Sequence, residues 1–211
     1  MVGGHATEIR SLNLALTPAN DPELVALARS GSEKAYRELL DRYQRPVFSL
    51  VYRMVRDREL AEDLAQETFI KVFNHLGSYN PSYKFSSWIF KIASNLAIDS
   101  LRRKELATVS IDGSRHAQTV DEVESTRITV ESHDENPEEA LEAKQLGQEI
   151  EVAISGLRPE YRTAILLRHV EGRPYEEISE IMGIPLGTVK TYIHRARGEL
   201  RESLSHLRIE A

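Results

Sequence analysis

The stretch Tyr175–Ile193 reads YEEISEIMGIPLGTVKTYI, and its spacing is that of two short helices joined by a tight turn. Ile178, Ile181 and Met182 recur at helical intervals and face inward on the first helix. Ser179 supplies a small side chain where the helices cross. Gly183 can adopt the left-handed backbone of a tight turn. Pro185 cannot continue the first helix and suits the start of the second, whose buried stripe is Val189, Ile193, Ala196 and Leu200. Thr188, Lys190, Thr191, Tyr192, His194, Arg195 and Arg197 are left for the more exposed faces. A helix carrying such residues in a major groove can offer cations to guanine edges and to phosphates, so the pattern is that of a helix-turn-helix. The bland alternative is a helical hairpin with a solvated basic face.

Outward from this motif, helical signals dominate. Pro159 opens a helix with Tyr161, Ile165 and Leu166. Before it, Asn136-Pro137-Glu138 starts a helix carrying Leu141, Ile150, Ala153 and Ile154, closed by Gly156. Near the other end, Asp21-Pro22-Glu23 reads as a cap, a first-turn proline and an acid, followed by Leu24, Leu27 and Ala28, with Gly31 as the stop. Ser32 caps a helix with the stripe Ala35, Leu39, Tyr43, Val47, Leu50, Val51 and Met54, which Pro46 is expected to interrupt and bend. Asp57 caps a third helix through Leu60, Leu64, Phe69, Val72, Phe73 and Leu76, ended by Gly77. Ser86 or Ser87 caps a fourth through Ile89, Ile92, Ala93, Leu96 and Leu101, ending in Arg102-Arg103-Lys104.

Between these halves the composition changes. Residues 106–136 hold Asp112, Asp121, Glu122, Glu124, Glu131, Asp134 and Glu135 against Arg115 and Arg127, with isolated valines and isoleucines. Such a segment buries too little apolar surface to order itself. The expected architecture is all-α: a flexible tail over 1–20, a helical domain over 21–105, a flexible acidic linker over 106–136, and a second small helical domain over 137–211.

With 211 residues, 41% hydrophobic and 28% charged, the chain is long and apolar enough for two small helical domains. Its net charge of -6 is unlike that of a free-standing DNA binder, so DNA contact must come from local patches or with a partner's help. No cysteine is present, which excludes disulfides, zinc ribbons and thiol catalysis and fits a cytoplasmic protein. The seven histidines form no metal-binding pair, and no cofactor is implied. Neither a signal peptide nor a run long enough for membrane insertion is visible.

Two further motifs lie in the first half. Ala61–Phe69 puts Asp63, Gln66 and Glu67 on one exposed helical face, which charge alone would read as a capped acidic surface. Phe85-Ser86-Ser87-Trp88-Ile89 places two large aromatics at a helix start. They suit a core, yet Lys84, Lys91, Asn95, Arg102, Arg103 and Lys104 lie close by. Aromatics among cations, with an amide side chain, are the parts of a single-strand binding surface.

Taken in order, Asp63-Leu64-Ala65-Gln66-Glu67-Thr68-Phe69, Phe85-Ser86-Ser87-Trp88-Ile89, Ile92-Ala93-Ser94-Asn95-Leu96-Ala97-Ile98-Asp99 and Gly187-Thr188-Val189-Lys190 resemble the extracytoplasmic-function (ECF) sigma factors, the group of sigma-E and sigma-W. The resemblance spans about residues 21–205, apart from the linker. It implies a non-catalytic initiation subunit that brings core RNA polymerase to stress- or signal-responsive promoters. By the same resemblance, Asp63, Gln66 and Glu67 dock on the coiled coil of the polymerase's largest subunit, and Asn95 captures a flipped base of the −10 element. Phe85, Trp88 and Lys91 lie in the strand-opening segment, while Arg102, Arg103 and Lys104 hold phosphates. The second domain reads the −35 element and rests on the flap of the second-largest subunit. An anti-sigma factor is the expected regulator. Two departures stand out: Tyr192 occupies a position where the family often has Arg, and the linker is longer and more acidic than usual. Two competing readings are a dimeric helix-turn-helix repressor or activator acting without polymerase, and a helical hydrolase built on Asp63, Glu67 and scattered histidines.

Overall fold

The computed structural model describes residues 20–111 and 137–207, so all but the last residue of the expected tail over 1–20, and residues 112–136 of the expected linker over 106–136, lie outside the described residues. Among the described residues the chain forms eight α-helices: α1 Asp21–Arg29, α2 Glu33–Val55, α3 Arg58–Asn74, α4 Phe85–Ile111, α5 Pro137–Gly156, α6 Pro159–His169, α7 Tyr175–Met182 and α8 Leu186–Ser203. Short 3₁₀ turns follow α3 and α8, at Leu76–Ser78 and Ser205–Leu207.

Local chemistry sets most of the helix ends. Ser32 and Asp57 accept the backbone N–H of Ala35 and Leu60, as their positions predict. At α1 the cap is Asn20 rather than Asp21. Asn20 and Glu23 form a reciprocal capping box, and Asp21 is thereby released to accept hydrogen bonds from Arg42 and Tyr43 on α2. Burial and the bond to Asp21 push the Tyr43 hydroxyl well above its ordinary pKa. The stripe of α1 is Leu24, Val25 and Ala28, whereas Leu27 is exposed. Pro46 does not interrupt α2, which runs through it as one helix. Buried Tyr43, Val47, Leu50 and Val51 hold it on both sides of the proline, and this outweighs one missing backbone bond.

The fourth helix differs most from expectation. It begins at Phe85, with Trp88 N–H bonding Lys84 carbonyl, so Ser86 and Ser87 sit inside the first turn and cap nothing. The preceding loop is held by Arg29, which donates to the carbonyls of Leu76 (2.9 Å), Gly77 (3.1 Å) and Tyr79. That clamp brings Tyr79 edge-on to Phe85 and fixes where α4 starts. At its other end α4 passes the basic cluster and continues to Ile111, because no glycine or proline intervenes before Gly113.

Helices α1 to α4 enclose one core, built on Leu39, Val47, Leu50, Met54, Phe85, Ile89 and Phe90. Helices α6 to α8 extend the same cluster through Leu166, Leu167, Ile178, Ile181 and Ile193. Helix α5 buries only its end: Ala153 is covered, while Leu141, Leu146 and Ile150 are exposed.

The two bundles are packed against each other. The Arg173 guanidinium lies over the Phe90 ring of α4 at 4.9 Å and donates to Ser86 Oγ at 3.2 Å. Arg162, almost fully buried, donates to the carbonyls of Met54, Ser155 and Leu157. Glu151 of α5 pairs with Arg53 and Arg56 at the end of α2. The expected pair of bundles is present, but in this structure their buried residues join into one continuous hydrophobic cluster, with these charged groups among and around it.

Candidate nucleic-acid interface

Helix α8 presents its residues much as its spacing predicts. Val189, Ile193 and Ala196 are buried, and Lys190, Thr191, His194, Arg195 and Arg197 are exposed. Thr188 is half-buried on the first turn. Gly183 has φ +65°, the left-handed value the turn requires, and the backbone of Ile184 returns to Ser179. Ser179 does more than allow a close crossing: its hydroxyl donates to the Ile184 carbonyl at 2.6 Å and stiffens the turn. Two cations are held by α6. Arg195 donates to the Tyr161 hydroxyl at 3.1 Å, and Arg197 lies 3.1 Å from His169 Nε2. Burial, then Arg197 and Arg168, hold the His169 pKa below its ordinary value, so at neutral pH it accepts from Arg197. Tyr192 departs from the expectation of an exposed contact. It is half-buried, with its ring 5.1 Å from that of Tyr161. Its bulk belongs to the α6–α8 part of the core, which is too thin to cover an aromatic fully.

Helix α4 carries the second cluster. Phe85 is 2% exposed and packs edge-on to Tyr43 and Tyr79, so it is a core residue and is not available to a strand. Trp88 is half-buried at the edge of the same aromatic group, 5.3 Å from Tyr79 and 5.9 Å from Phe85. Lys91, Asn95, Arg102, Arg103 and Lys104 are exposed. Asn95 stands in the middle of the helix, so it is neither a cap nor part of a loop. Lys84, Lys91, Asn95 and Arg102 recur at intervals that keep them on one face, since eighteen residues make about five helical turns. The aromatic Trp88 borders that line.

The third cluster lies across the first bundle. Asp63 and Gln66 are exposed and Glu67 is half-buried, paired with Lys71 at 2.9 Å. Gln66 lines a groove of about 700 Å³ between α2 and α3, whose apolar walls are Leu40, Phe48, Phe69, Ile70 and Phe73. Ile70 is 59% exposed. Sequence reading missed this groove. Its one signal was an isoleucine beside Phe69 but out of phase with the buried stripe. Among the described residues there is no group of three side chains able to hold a metal, and no helix is long and apolar enough to cross a membrane.

Comparison with known proteins accords with this arrangement. The Sigma-70 region 2 family matches residues 39–106, and Sigma-70, region 4 matches residues 147–200. The chain is 34% identical to the ECF RNA polymerase sigma factor SigW of Bacillus subtilis, over 85% of this chain and 94% of the relative. It is 35% identical to the ECF RNA polymerase sigma-E factor of Escherichia coli, over 84% and 90%. Its fold is similar to that of the sigma factor RpoE solved with the anti-sigma factor NepR from Bartonella quintana, with TM-score 0.62 and 22% identity over 82% of this chain and 98% of that one. It is also similar to CnrH solved with the cytosolic domain of CnrY, with TM-score 0.60 and 21% identity over 88% and 97%.

Proposed function

The chain belongs to the ECF sigma factors, non-catalytic subunits that direct RNA polymerase in transcription initiation, and from that premise we propose how its own surfaces divide the work. Residues 21–105 act as the unit that docks on core polymerase and opens the −10 element. Residues 137–211 read the −35 element, and 106–136 tether the two. Lys190, Thr191, His194, Arg195 and Arg197 meet bases and phosphates in the major groove, with Thr188 at the entry of the helix. Tyr192 positions that helix from behind through Tyr161. Asn95 reads an extruded −10 base, because an amide offers both a donor and an acceptor to a base edge. Lys91, Arg102, Arg103 and Lys104 hold the backbone beside it, and Trp88 supplies the stacking edge.

The docking surface is the α2–α3 groove, which Gln66 lines, together with Asp63 and Glu67 on the same helix. An apolar trough with Ile70 exposed, bordered by Gln44, Arg45, Glu62 and Gln66, suits an amphipathic helical partner, here the coiled coil of the largest subunit. The second domain rests on the flap of the second-largest subunit. An anti-sigma factor is the proposed regulator, by analogy with the solved relatives, and the protein works in the cytoplasm where polymerase is. Polymerase holds both DNA-reading units on one scaffold, which raises their effective concentration on a promoter.

The observation that carries this reading is the coexistence of two separate cationic helix faces, on α4 and α8, in a chain whose net charge is -6. In-vitro transcription with core polymerase on a random promoter library tests it. Core-dependent initiation from a two-part promoter is expected. Tight binding by the free chain, as a dimer on a palindrome, would instead point to a repressor.

A further inference from the structure

Two of the cations on α8 are tied to α6, and the ties differ in kind. Arg195 and Arg197 stand on either side of buried Ala196, about 200° apart around the helix. Arg197 lies 3.1 Å from His169, an exposed residue in the last turn of α6. Arg195 Nη1 donates instead to the hydroxyl of Tyr161, also at 3.1 Å, and Tyr161 is only 7% exposed. That residue is fixed by its surroundings. Its ring lies 5.1 Å from the ring of Tyr192, which precedes Arg195 by three residues and so shares its flank of α8. Its chain neighbour Arg162, also buried, donates to the carbonyls of Ser155 and Leu157, at 3.0 Å for the latter, and pins the first turn of α6 to the end of α5. Thr163 Oγ1 closes the same turn on the Pro159 carbonyl at 2.8 Å. A phenol oxygen is thus held at a set place beside the exposed face of α8. Helical spacing puts Arg195 next to Thr191 on that face, one turn further along and away from the buried stripe.

A guanidinium carries its N–H donors in a planar fork, of which Tyr161 engages one and leaves the others available. An untethered arginine swings among its rotamers and meets phosphate or base alike. A tethered one presents its fork in one direction and loses less conformational freedom on binding. A fixed fork suits the paired O6 and N7 acceptors of a guanine edge, whereas a phosphate accepts from many directions. We infer that Tyr161 is a positioning residue for promoter recognition: through its hydroxyl it aims Arg195 at one base pair of the −35 element, and so sets specificity from the helix behind the one that enters the groove. This rests on the reading of α8 as the −35 recognition helix. Tyr161 itself belongs to the core, so its effect reaches the promoter through Arg195.

The test uses the full chain bound to core polymerase. Its promoters carry each of the four bases at every −35 position, built on the sequence selected from the random library. Tyr161→Phe keeps the ring and removes only the hydroxyl. It is expected to leave the thermal midpoint and core binding unchanged and to reduce base discrimination at one −35 position about fivefold. Arg195→Ala should lose discrimination at the same position. Adding Tyr161→Phe to it should change nothing further, because the two residues act in series. A Tyr161→Phe chain that keeps the wild-type ranking at every −35 position, while Arg195→Ala alters it, overturns the inference and leaves the reading of α8 intact. So does a uniform loss at all positions, which marks a merely structural role, and so does a further loss in the double variant. If Arg195→Ala itself leaves the ranking unchanged, Arg195 reads no base, and the inference falls together with that part of the α8 reading.

Discussion

Helices α4 and α8 both carry cations along one face, yet they differ in what surrounds that face. On α8 the buried stripe is short, and the opposite side is open to solvent apart from the ties of Arg195 and Arg197 to α6. On α4 the helix is the centre of its bundle and, at the same time, the floor on which the second domain sits. The contrast shows that an amphipathic pattern identifies a polar face but not its occupant. The exposed face of α8 is legible because its neighbours are on its own small domain. The face of α4 meets groups from both bundles, which its own spacing does not name.

The largest effect that can break this comparison is at Phe85. As a core aromatic at 2% exposure, its replacement by Ala should cost about 3–5 kcal/mol of stability, measured by denaturant unfolding. A Phe85→Ala chain of native stability that fails only in strand opening would return Phe85 to the DNA surface. Next comes Asn95→Ala, which should lose discrimination at one −10 base, about 1–3 kcal/mol, with the other positions unaffected. Transcription from promoters carrying each of the four bases at every −10 position measures this, and an unchanged base ranking removes Asn95 as the reader. Smaller again is Arg103→Ala, expected to weaken all promoters alike and to lower the salt slope of binding by about one. A sequence-dependent loss there would mean that Arg103 reads a base.

The smallest effect is one of pH. The Glu177 and Glu160 carboxyls lie below their usual value of 4.5 where the two bundles pack. Each therefore supports that packing at pH values above 4.5 and ceases to do so as pH falls through its lowered value. In thermal unfolding of the full chain this contribution should be constant from neutral pH down to about 5 and be lost only in stronger acid. Its loss between pH 7 and 6 would assign it to a histidine instead.

Much of this molecule can be read from its residues in order. Stripes at helical spacing, the caps Ser32 and Asp57, and Gly31 and Gly183 at left-handed turns are local properties, set by backbone sterics and by which side chains repeat on a face. The acidic composition of the segment between the halves, the exposed cations of α8 and the order of the family motifs needed no coordinates. What the tertiary structure decided are the properties that depend on a distant partner. Asp21, freed by the local Asn20–Glu23 box, went to Arg42 and Tyr43 on α2. Phe85 went to the core because Arg29 anchors the loop before it. Tyr192 turned to Tyr161, and Ser86 and Ser87 became interface donors and acceptors rather than caps. The α2–α3 groove is formed jointly by residues of two helices, among them Phe48 and Ile70. Periodicity along a chain records which side of a helix avoids water; whether that side or its opposite meets another helix, a carboxylate or a phosphate is set by contacts between residues far apart in sequence, which no local pattern encodes.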